Sequence, residues 1–385
     1  MKRTAAQRIE ESRQWLTNYV FPLWREKGID STTGSFAESI SFEGAAMYSS
    51  QRALVQARQI YSFTEASRMG LLDKTTVKPI VAKAIDFFIS KYSLPSGAFV
   101  HAVNPQGEIQ NKDTDLYTQA FALFALANAY EVLGDSKLVD RARQLVNYLN
   151  RDRKAKNGGY TEIKNDVVMF QSNPHMHLFE SALAWMKVDS GSEWKELAQH
   201  LHDLCHSKFI DRTSGALCEH FAEGWTPLRE NGNFIFEPGH HYEWAWLMLE
   251  FQELTGSDEK AVANSLFKLA EEYGVNNSHM VIDEVWSDFT AKKRSSRFWP
   301  QSERIKAAVS LGLQSPAETQ AVYARAADEA MDALAKYFEV PTKGLWQDTL
   351  SETGHFVAQP AKASSLYHII NALSEYGLKR PGISA

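Results

Sequence analysis

Apolar residues recur with a helical period along almost the whole chain. The segment TQAFALFALANAY, in the predicted helix 113–133, is apolar around most of its circumference. The segment DRARQLVNYL, in the predicted helix 137–150, is charged on one side. Helices of these two kinds form pairs, which predicts an inner and an outer ring. The predicted helices are 4–25, 45–68, 76–93, 113–133, 137–150, 174–189, 192–209, 238–255, 258–273, 299–312, 316–338 and 364–376.

A short turn-and-strand phrase, such as GSFAESISFEG or GALCEHFAEGW, recurs six times between these helices. A period of about sixty residues leaves room for two helices per unit and predicts a closed ring of helical hairpins. The final helix and the first would together complete the sixth hairpin. We therefore predict an all-α fold, an (α/α)6 barrel with six inner and six outer helices and short β-hairpins at one mouth. Residues 1–385 are expected to form a single catalytic domain. The phrases start at Gly34, Gly97, Gly158, Gly215, Met280 and Gly344, at spacings of 63, 61, 57, 65 and 64 residues.

Composition narrows the class of protein. Of the 385 residues, 44% are hydrophobic and 12% aromatic, which is enough for a large core. The net charge of −6 provides no basic footprint, so no nucleic-acid partner is expected. The two cysteines, Cys205 and Cys218, are expected to be small buried side chains in a reducing compartment. Neither a signal peptide nor a membrane span is evident, so a cytoplasmic protein without membrane contacts is predicted, and homo-oligomerisation stays open.

Six polar side chains occupy the inner helices at nearly the same distance beyond each repeat start. In a ring, residues at the same position in each repeat lie at the same distance from the mouth. We therefore expect these side chains to converge near one mouth. They are Arg58, Tyr117, His177, His240, Glu303 and His368, which follow their repeat starts by 19 to 25 residues.

Two histidines are followed by a glutamate three residues later, which places each pair on one helix face. In EPGHHYEWAW, Glu243 could orient His240 and raise its basicity; a capping turn with a surface pair is the alternative. The phrase SNPHMHLFESALAW repeats the arrangement with His177 and Glu180. His241 would point about 100° away from His240 and is expected to be structural.

Metal ligation is not predicted, and no cofactor is expected. His175 and His177 are two residues apart and do not face each other on a helix. His202 and His206 share a helix face but are expected to be solvated. Arg58, in an apolar stretch, needs either a salt-bridge partner or an anionic substrate.

Together these phrases resemble the N-acylglucosamine 2-epimerase superfamily, which includes bacterial mannose isomerases and cellobiose 2-epimerases. The resemblance extends over essentially the whole chain and implies the (α/α)6 barrel. It also implies that His240 and His368 are the acid/base catalysts. Pocket residues would be Arg58, Tyr117, His177 and Glu243, supported by Asn173, Glu180, Trp299 and Glu303. The phrases are QARQIYSF, DLYTQAF, NPHMHLFESALAW, EPGHHYEWAW, RFWPQSERIKA and LYHIINAL.

Two departures favour the isomerase branch of this resemblance. The epimerases commonly have tryptophan where this chain has Leu54, and arginine where it has Asn371. The leading hypothesis is a cofactor-independent aldose–ketose isomerase that interconverts mannose, a small monosaccharide, with fructose through a cis-enediol. Histidines that titrate near neutral pH suit this proton traffic, with Arg58 stabilising the enediolate. The sequence leaves open whether His240 or His368 carries the C2 proton.

Three alternatives remain. The first is a sugar 2-epimerase, in which the two histidines act from opposite faces of C2. The second is a glycoside hydrolase, which would need two carboxyl groups flanking the scissile bond. The third is a non-catalytic sugar-binding toroid. The sequence contains no cluster of Lys and Arg suited to a phosphate, which favours a free sugar.

Overall fold

A computed structural model describes residues 3–165 and 167–384, and it confirms the (α/α)6 barrel. The outer ring begins with α1 (Ala5–Trp15) and α2 (Phe21–Lys27), which a π-helical turn, Leu16–Val20, joins into one continuous helix. The inner helices are α3 (Ala53–Arg68), α5 (Leu116–Leu133), α7 (Ser172–Val188), α9 (Pro238–Thr255), α11 (Phe298–Leu313) and α13 (Leu366–Lys379). The outer helices are α1 (Ala5–Trp15) with α2 (Phe21–Lys27), α4 (Lys74–Tyr92), α6 (Ser136–Tyr148), α8 (Ser192–Leu204), α10 (Lys260–Gly274) and α12 (Ala317–Lys336).

The inner helices form a closed ring. Each packs against the next in the order α3, α5, α7, α9, α11 and α13, and α13 packs back against α3. Across one of these contacts the buried indole of Trp185 donates to the carbonyl of Leu123 at 3.0 Å. At the closing joint, α1 contacts α13, and Arg8 pairs with Asp332 of α12 at 2.8 Å. The predicted sixth hairpin is therefore made by the first and last helices.

Burial explains the two kinds of helix in the sequence. Helix α5 is buried on every side along Leu116 and 118–129, as its nearly uniform apolar composition requires. Helix α6 buries only a stripe that includes Leu138, Ala142 and Leu145, and exposes its charged side. The apolar core thus lies in and between the two rings.

The repeated phrases form the turns that join the outer helices to the inner ones. Gly34 begins the first phrase with φ 79°, a left-handed conformation that glycine adopts readily. In the fifth unit the corresponding residue is His279, with φ 61°, so that phrase begins one residue earlier than Met280. Two residues further on, the chain pairs with the end of the preceding outer helix, as in the bridges Ile29–Phe36 and Val275–Val281.

Short antiparallel strands connect neighbouring units at one mouth. Pairs β3–β4, β7–β8, β10–β11 and β13–β14 join consecutive units, and β15–β1 joins the last unit to the first. The strands are β1 (Ser39–Ile40), β2 (Ala46–Met47), β3 (Gln51–Arg52), β4 (Ala102–Val103), β5 (Ile109–Asn111), β6 (Glu162–Lys164), β7 (Val167–Gln171), β8 (His220–Ala222), β9 (Thr226–Pro227), β10 (Ile235–Phe236), β11 (Glu284–Trp286), β12 (Ala291–Lys293), β13 (Ser296–Arg297), β14 (Thr349–Leu350) and β15 (Ala361–Lys362).

One predicted helix boundary was wrong by eight residues. The helix predicted at 45–68 begins at Ala53, because the residues before it form β2 and β3. Cys205 and Cys218 are buried thiols, as expected. None of the helices described in the structure has both the length and the apolar character needed to cross a membrane. The expectation of one catalytic domain stays a prediction.

Candidate active site

A cavity of about 460 Å³ opens at the mouth where the inner helices begin. Five of the six side chains that share a phase in the repeats line it: Arg58, Tyr117, His177, His240 and His368. Asn173, Glu243 and Trp299 line it too, whereas Glu180 and Glu303 lie outside its lining. The structure therefore brings the sequence candidates together around one space.

The position of each side chain within its helix explains this convergence. All six lie in the first two turns of an inner helix, at the second, third or sixth residue. Helices that begin at the same mouth carry such residues to the same depth. Tyr117 is the second residue of α5, His240 and His368 are the third of α9 and α13, and Arg58, His177 and Glu303 are the sixth of α3, α7 and α11.

The carboxylate that holds His240 is Glu219, not Glu243. Nδ1 of His240 lies 3.0 Å from Oε2 of Glu219, and both side chains are buried. Burial lowers the pKa of His240, but the carboxylates of Glu219 and Glu237 outweigh it and raise the pKa to about 9. His240 is therefore an imidazolium at neutral pH, with Nε2 left for the cavity that it lines.

The repeated phrase already indicated that Glu219 is a candidate site residue. Pairing residues three apart on one helix face could not detect it. One residue in each unit lies four positions after the turn residue. Of these six residues, five are acidic and one is histidine. Glu219 also accepts from the Ser172 hydroxyl at 3.0 Å and from the backbone N–H of Glu237 at 3.2 Å, which fixes its orientation. The six residues are Glu38, His101, Glu162, Glu219, Asp283 and Asp348.

His368 has the opposite electrostatic environment. Its Nδ1 is hydrogen-bonded to Oε1 of Glu303 at 2.8 Å, and Oε2 of Glu303 lies 2.6 Å from the buried ammonium of Lys306. Burial, followed by the positive charges of Arg58 and Lys306, holds the pKa of His368 well below its ordinary value. His368 is therefore a neutral imidazole whose Nε2 can accept a proton.

His177 is also neutral. Its Nδ1 is hydrogen-bonded to Glu180 at 3.1 Å, as the spacing of three residues predicted. Burial lowers the pKa of His177 to about 4, although Glu180 acts in the other direction. Glu180 in turn accepts from the hydroxyl of Tyr367. This chain of contacts fixes His177 against the cavity wall.

Glu243 lies deeper than the sequence argument placed it. Burial and the neighbouring carboxylate of Glu303 raise the pKa of Glu243 well above its ordinary value and so favour its protonated form. Its Oε1 lies 3.9 Å from Nδ1 of His177. Glu243 therefore lines the cavity with its neutral form favoured, and Glu219 takes its place as the partner of His240.

Arg58 makes no ion pair with the residues that the structure describes. Its Nη2 donates to the hydroxyl of Tyr117 at 3.0 Å, and its Cζ lies 4.4 Å from the centre of the Phe121 ring and 4.9 Å from that of Tyr367. No hydrogen-bond partner for the buried Nε occurs in the described part of the chain. Of the two hypotheses for Arg58, a structural salt bridge is therefore wrong.

Trp299 and Asn173 complete the wall. The indole of Trp299 contacts both imidazoles, with ring centres 5.0 Å from His240 and 5.8 Å from His368. Oδ1 of Asn173 is buried without a hydrogen-bond partner among residues 3–165 and 167–384. The site thus combines a flat aromatic surface with an unused acceptor, two features that suit a polyhydroxylated ligand.

Three cations at the cavity are already neutralised. Arg52 pairs with Glu38 at 2.8 Å, Arg297 with Glu237 at 2.7 Å, and Lys362 with Asp348 at 2.9 Å. None of these pairs was predicted from the sequence. In the pairs of Arg52 with Glu38 and of Lys362 with Asp348, an acid that follows a repeated turn meets a base that precedes an inner helix, so these two could have been sought in the repeats. Glu237 instead directly precedes α9.

Two groups of possible metal ligands each combine two residues that line the cavity with one glutamate outside its lining. His177, Glu180 and Glu243 form one group, and Glu243, Glu303 and His368 form the other, with ligand atoms within 4.8 Å of one another in each. The ammonium of Lys306, 2.6 Å from Glu303, already supplies the positive charge beside the second group. Both histidines engage a glutamate through Nδ1, which suits positioning of the rings for proton transfer.

The remaining histidines have other partners. Nε2 of His175 accepts from the backbone N–H of Tyr160 at 2.9 Å, and Nε2 of His241 accepts from that of Leu217 at 3.1 Å, so both serve the fold. His202 and His206 were expected to be solvated, but both are only partly exposed and contact Glu259, which lies 53 residues beyond His206.

Comparison with known proteins shows the family and supports the fold of this chain. The model of the family N-acylglucosamine 2-epimerase (GlcNAc 2-epimerase) matches residues 34–372. A Rhizobium meliloti (strain 1021) protein named mannose-6-phosphate isomerase is 35% identical over 367 residues, which cover 94% of each chain. Among solved structures, cellobiose 2-epimerase from Bacillus thermoamylovorans B4167 superposes with a TM-score of 0.86 at 18% identity, over 96% of this chain and 98% of that one. A D-mannose isomerase superposes with a TM-score of 0.85 at 20% identity, over 96% of each chain.

Proposed function

Because the chain belongs to the N-acylglucosamine 2-epimerase family, we propose that it is an aldose–ketose isomerase that interconverts free mannose with fructose. Members of this family are enzymes that isomerise or epimerise sugars, and this chain is one of them. The isomerase assignment is supported by a relative named mannose-6-phosphate isomerase, by the similarity to a D-mannose isomerase structure, and by Leu54, which lines the cavity where the epimerases have an aromatic side chain.

The observation that carries the proposal is the opposite protonation of two histidines in one cavity. His240 is cationic beside Glu219, and His368 is neutral beside Glu303 and Lys306. Two titratable groups whose environments push their pKa values apart are the usual arrangement of a catalytic acid and base. The structure thus supports an assignment that the sequence left open, with His368 as the base and His240 as the acid.

The reaction follows from this assignment. His240 donates its proton to the ring oxygen and takes up the proton of the O1 hydroxyl, so that the bond from C1 to the ring oxygen breaks and C1 becomes the aldehyde carbon. Nε2 of His368 then removes the proton from C2, and the electron pair of that bond forms the C1–C2 double bond while charge develops on O1. Arg58 stabilises this enediolate through its free N–H groups. His240 moves a proton from O2 to O1, and His368 returns its proton to C1 to give the ketose.

Sugar 2-epimerisation is the second candidate. The family description and the similarity to cellobiose 2-epimerase favour it, and it would use the same acid and base on opposite faces of C2. The second departure from the epimerases, Asn371, bears less on the choice than we expected. Asn371 lines a separate cavity at the other end of the barrel, beside Glu375, and is absent from the lining of the central one.

The charges around the cavity support an unphosphorylated substrate. A phosphate group binds where basic side chains have free donors. Arg52, Arg297 and Lys362 are each held by a carboxylate, which would compete with a phosphate for them. Arg58, which makes no ion pair with the described residues, is the cation that this proposal assigns to the enediolate. The same pairs count against a glycoside hydrolase, since they occupy carboxylates that such an enzyme would need on either side of the bond.

Incubation with mannose in deuterium oxide tests the proposal. NMR should detect fructose deuterated at C1, because the proton that His368 returns exchanges with solvent. Glucose deuterated at C2 would instead establish epimerisation. The variant His368→Ala is the matched control and should give neither product. If mannose, N-acetylmannosamine and other aldoses all remain unlabelled with the wild-type protein, the proposal is wrong.

A second measurement tests the preference for a free sugar. Because the nearby cations are already paired, kcat/KM for mannose should exceed that for mannose 6-phosphate. A higher value for the phosphorylated sugar would overturn that part of the proposal and leave the isomerase assignment intact.

A further inference from the structure

A cluster of two histidines and one glutamate lies between two outer helices, away from the central cavity. His202 belongs to α8, and His206 to the π-helical turn Cys205–Phe209 that extends it. Glu259 immediately precedes α10. Nε2 of His202 lies 2.9 Å from Oε1 of Glu259, and Nε2 of His206 lies 3.1 Å from Oε2. Neither the contact with Glu259 nor a metal at this place was expected from the sequence.

We propose that His202, His206 and Glu259 form a binding site for a divalent transition-metal ion, with Zn²⁺ as its representative. A spacing of four residues places both imidazoles on one helix face, with ring centres 4.3 Å apart. The three ligand atoms lie within 4.8 Å of one another. Two imidazole nitrogens and one carboxylate oxygen are the ligand set that an open zinc site uses, with water in the fourth position.

The surroundings of His202 are those of a metal ligand. A histidine that binds a metal through one ring nitrogen commonly donates the other N–H to a carboxylate, which fixes its tautomer. Nδ1 of His202 is hydrogen-bonded to Oδ1 of Asp203 at 3.0 Å, which leaves Nε2 to face Glu259. The ring also stacks on Phe251, with centres 4.6 Å apart. The imidazole is therefore held in place before any ion arrives.

The cluster is open on one side. The side chain of His206 is 32% exposed, whereas that of Glu259 is 6% exposed. A metal ion could enter from the side of His206 and keep a water ligand there, while the buried carboxylate offsets its charge. The N–H group of Glu259 donates to Oε1 of Gln252 at 2.9 Å, so the backbone at this ligand is also fixed.

The expected consequence is mechanical. A bound ion would connect the end of α8 to the beginning of α10, two neighbouring helices of the outer ring. It would stabilise the ring and leave catalysis unchanged, because none of the three residues lines the central cavity. The competing explanation is a clamp without metal, in which both imidazoles donate N–H to Glu259.

Zinc titration of metal-stripped, untagged protein separates the two explanations. Calorimetry should find one zinc equivalent fewer in His206→Gln than in the wild type. Zinc at about a hundredfold excess over its Kd should raise the wild-type Tm by about 3 °C. That rise should be absent from His206→Gln and present in the control His355→Gln, which changes an exposed histidine outside the cluster.

Two further measurements complete the test. Glu259→Gln replaces His206→Gln if that variant does not fold, with the same expected loss of the zinc effect. EDTA should reverse the rise in Tm without changing the rate of sugar turnover. Zinc stoichiometry or a zinc-dependent Tm that is the same in wild type and folded variant would overturn the proposal, as would a wild-type Tm that does not respond to zinc.

Discussion

The dependence of His240 on Glu219 leads to the sharpest prediction. The rise in the pKa of His240 from 6.5 to about 9 corresponds to about 3 kcal/mol in favour of the imidazolium. Glu219→Gln keeps the shape and an acceptor oxygen but removes the charge 3.0 Å from Nδ1. The pKa of His240 should then fall towards 6.5, since burial opposes the charge that Glu219 had stabilised.

The expected loss of activity therefore depends on pH. At pH 8 a group with a pKa of about 9 is about 90% protonated, whereas one with a pKa of 6.5 is about 3% protonated. If the imidazolium is the catalytic acid, kcat/KM of Glu219→Gln should fall about 30-fold at pH 8 from this cause alone. At pH 6 both forms are mostly protonated, so the same cause should reduce kcat/KM by less than about twofold.

The assay is kcat/KM for ketose formation between pH 5.5 and 9.5, with wild type and Glu219→Gln measured in parallel. Any loss of orientation of the imidazole acts at every pH, so the change in the ratio of the two enzymes isolates the effect of protonation. Glu223→Gln, which changes an exposed carboxylate four residues away, is the matched control and should follow the wild type. A ratio that is equal at pH 6 and pH 8 would refute the reasoning, provided that circular dichroism shows both proteins folded.

Three other predictions concern the base, the guanidinium and the fold. His368→Ala should lower turnover by about 10² to 10⁴, the contribution of a general base, and a variant that keeps more than about a tenth of wild-type turnover would show that His368 only packs the core. Arg58→Lys should lower kcat by about 10² or more, because one ammonium cannot reproduce both the bond to Tyr117 and the donors that face the enediolate; near-normal kcat would contradict this role. Burial lowers the pKa of His175 in the folded protein to about 4, so below pH 6.5 the unfolded chain binds the proton first. The free energy of unfolding therefore decreases as pH falls from 6.5 to 4, by about 2 kcal/mol at pH 5. Urea unfolding at pH 7 and pH 5 should therefore show a smaller pH-dependent loss in His175→Gln, and an equal loss in both proteins would argue against it.

The sequence predicted the helices well because apolar residues recur with a helical period along each long helix. Strands of two residues carry no such pattern, so the residues before Ala53 were assigned to the helix although they form β2 and β3. The fifth repeat was placed one residue late because His279 takes the left-handed conformation that glycine has elsewhere. Both differences arise from local geometry that hydrophobic spacing does not record.

The sequence predicted which residues belong to the candidate site, but it did not predict which residues pair with one another. The site residues could be identified because they occupy similar positions in each repeat, and position in the unit determines depth in the ring. A rule that compares residues three or four apart does not detect partners that are distant in the sequence, so Glu243 was assigned to His240 in place of Glu219. The same limit applies to Glu259, which made His202 look solvated. The opposite protonation of His240 and His368 depends on burial and on Lys306, which only the assembled structure provides.

The common direction of the inner helices has an electrostatic consequence. Six helices begin at one mouth, so the positive ends of six helix macrodipoles surround the cavity, each equivalent to roughly half an elementary charge. The acids that follow the repeated turns partly offset this positive potential. Glu162, for example, accepts from the N–H groups of Leu116 and Tyr117 at 3.1 and 3.2 Å. The field favours an enediolate over the neutral sugar and opposes any cation in the cavity. Glu219 is therefore required to keep His240 protonated, whereas at His368 the scaffold itself favours the neutral base.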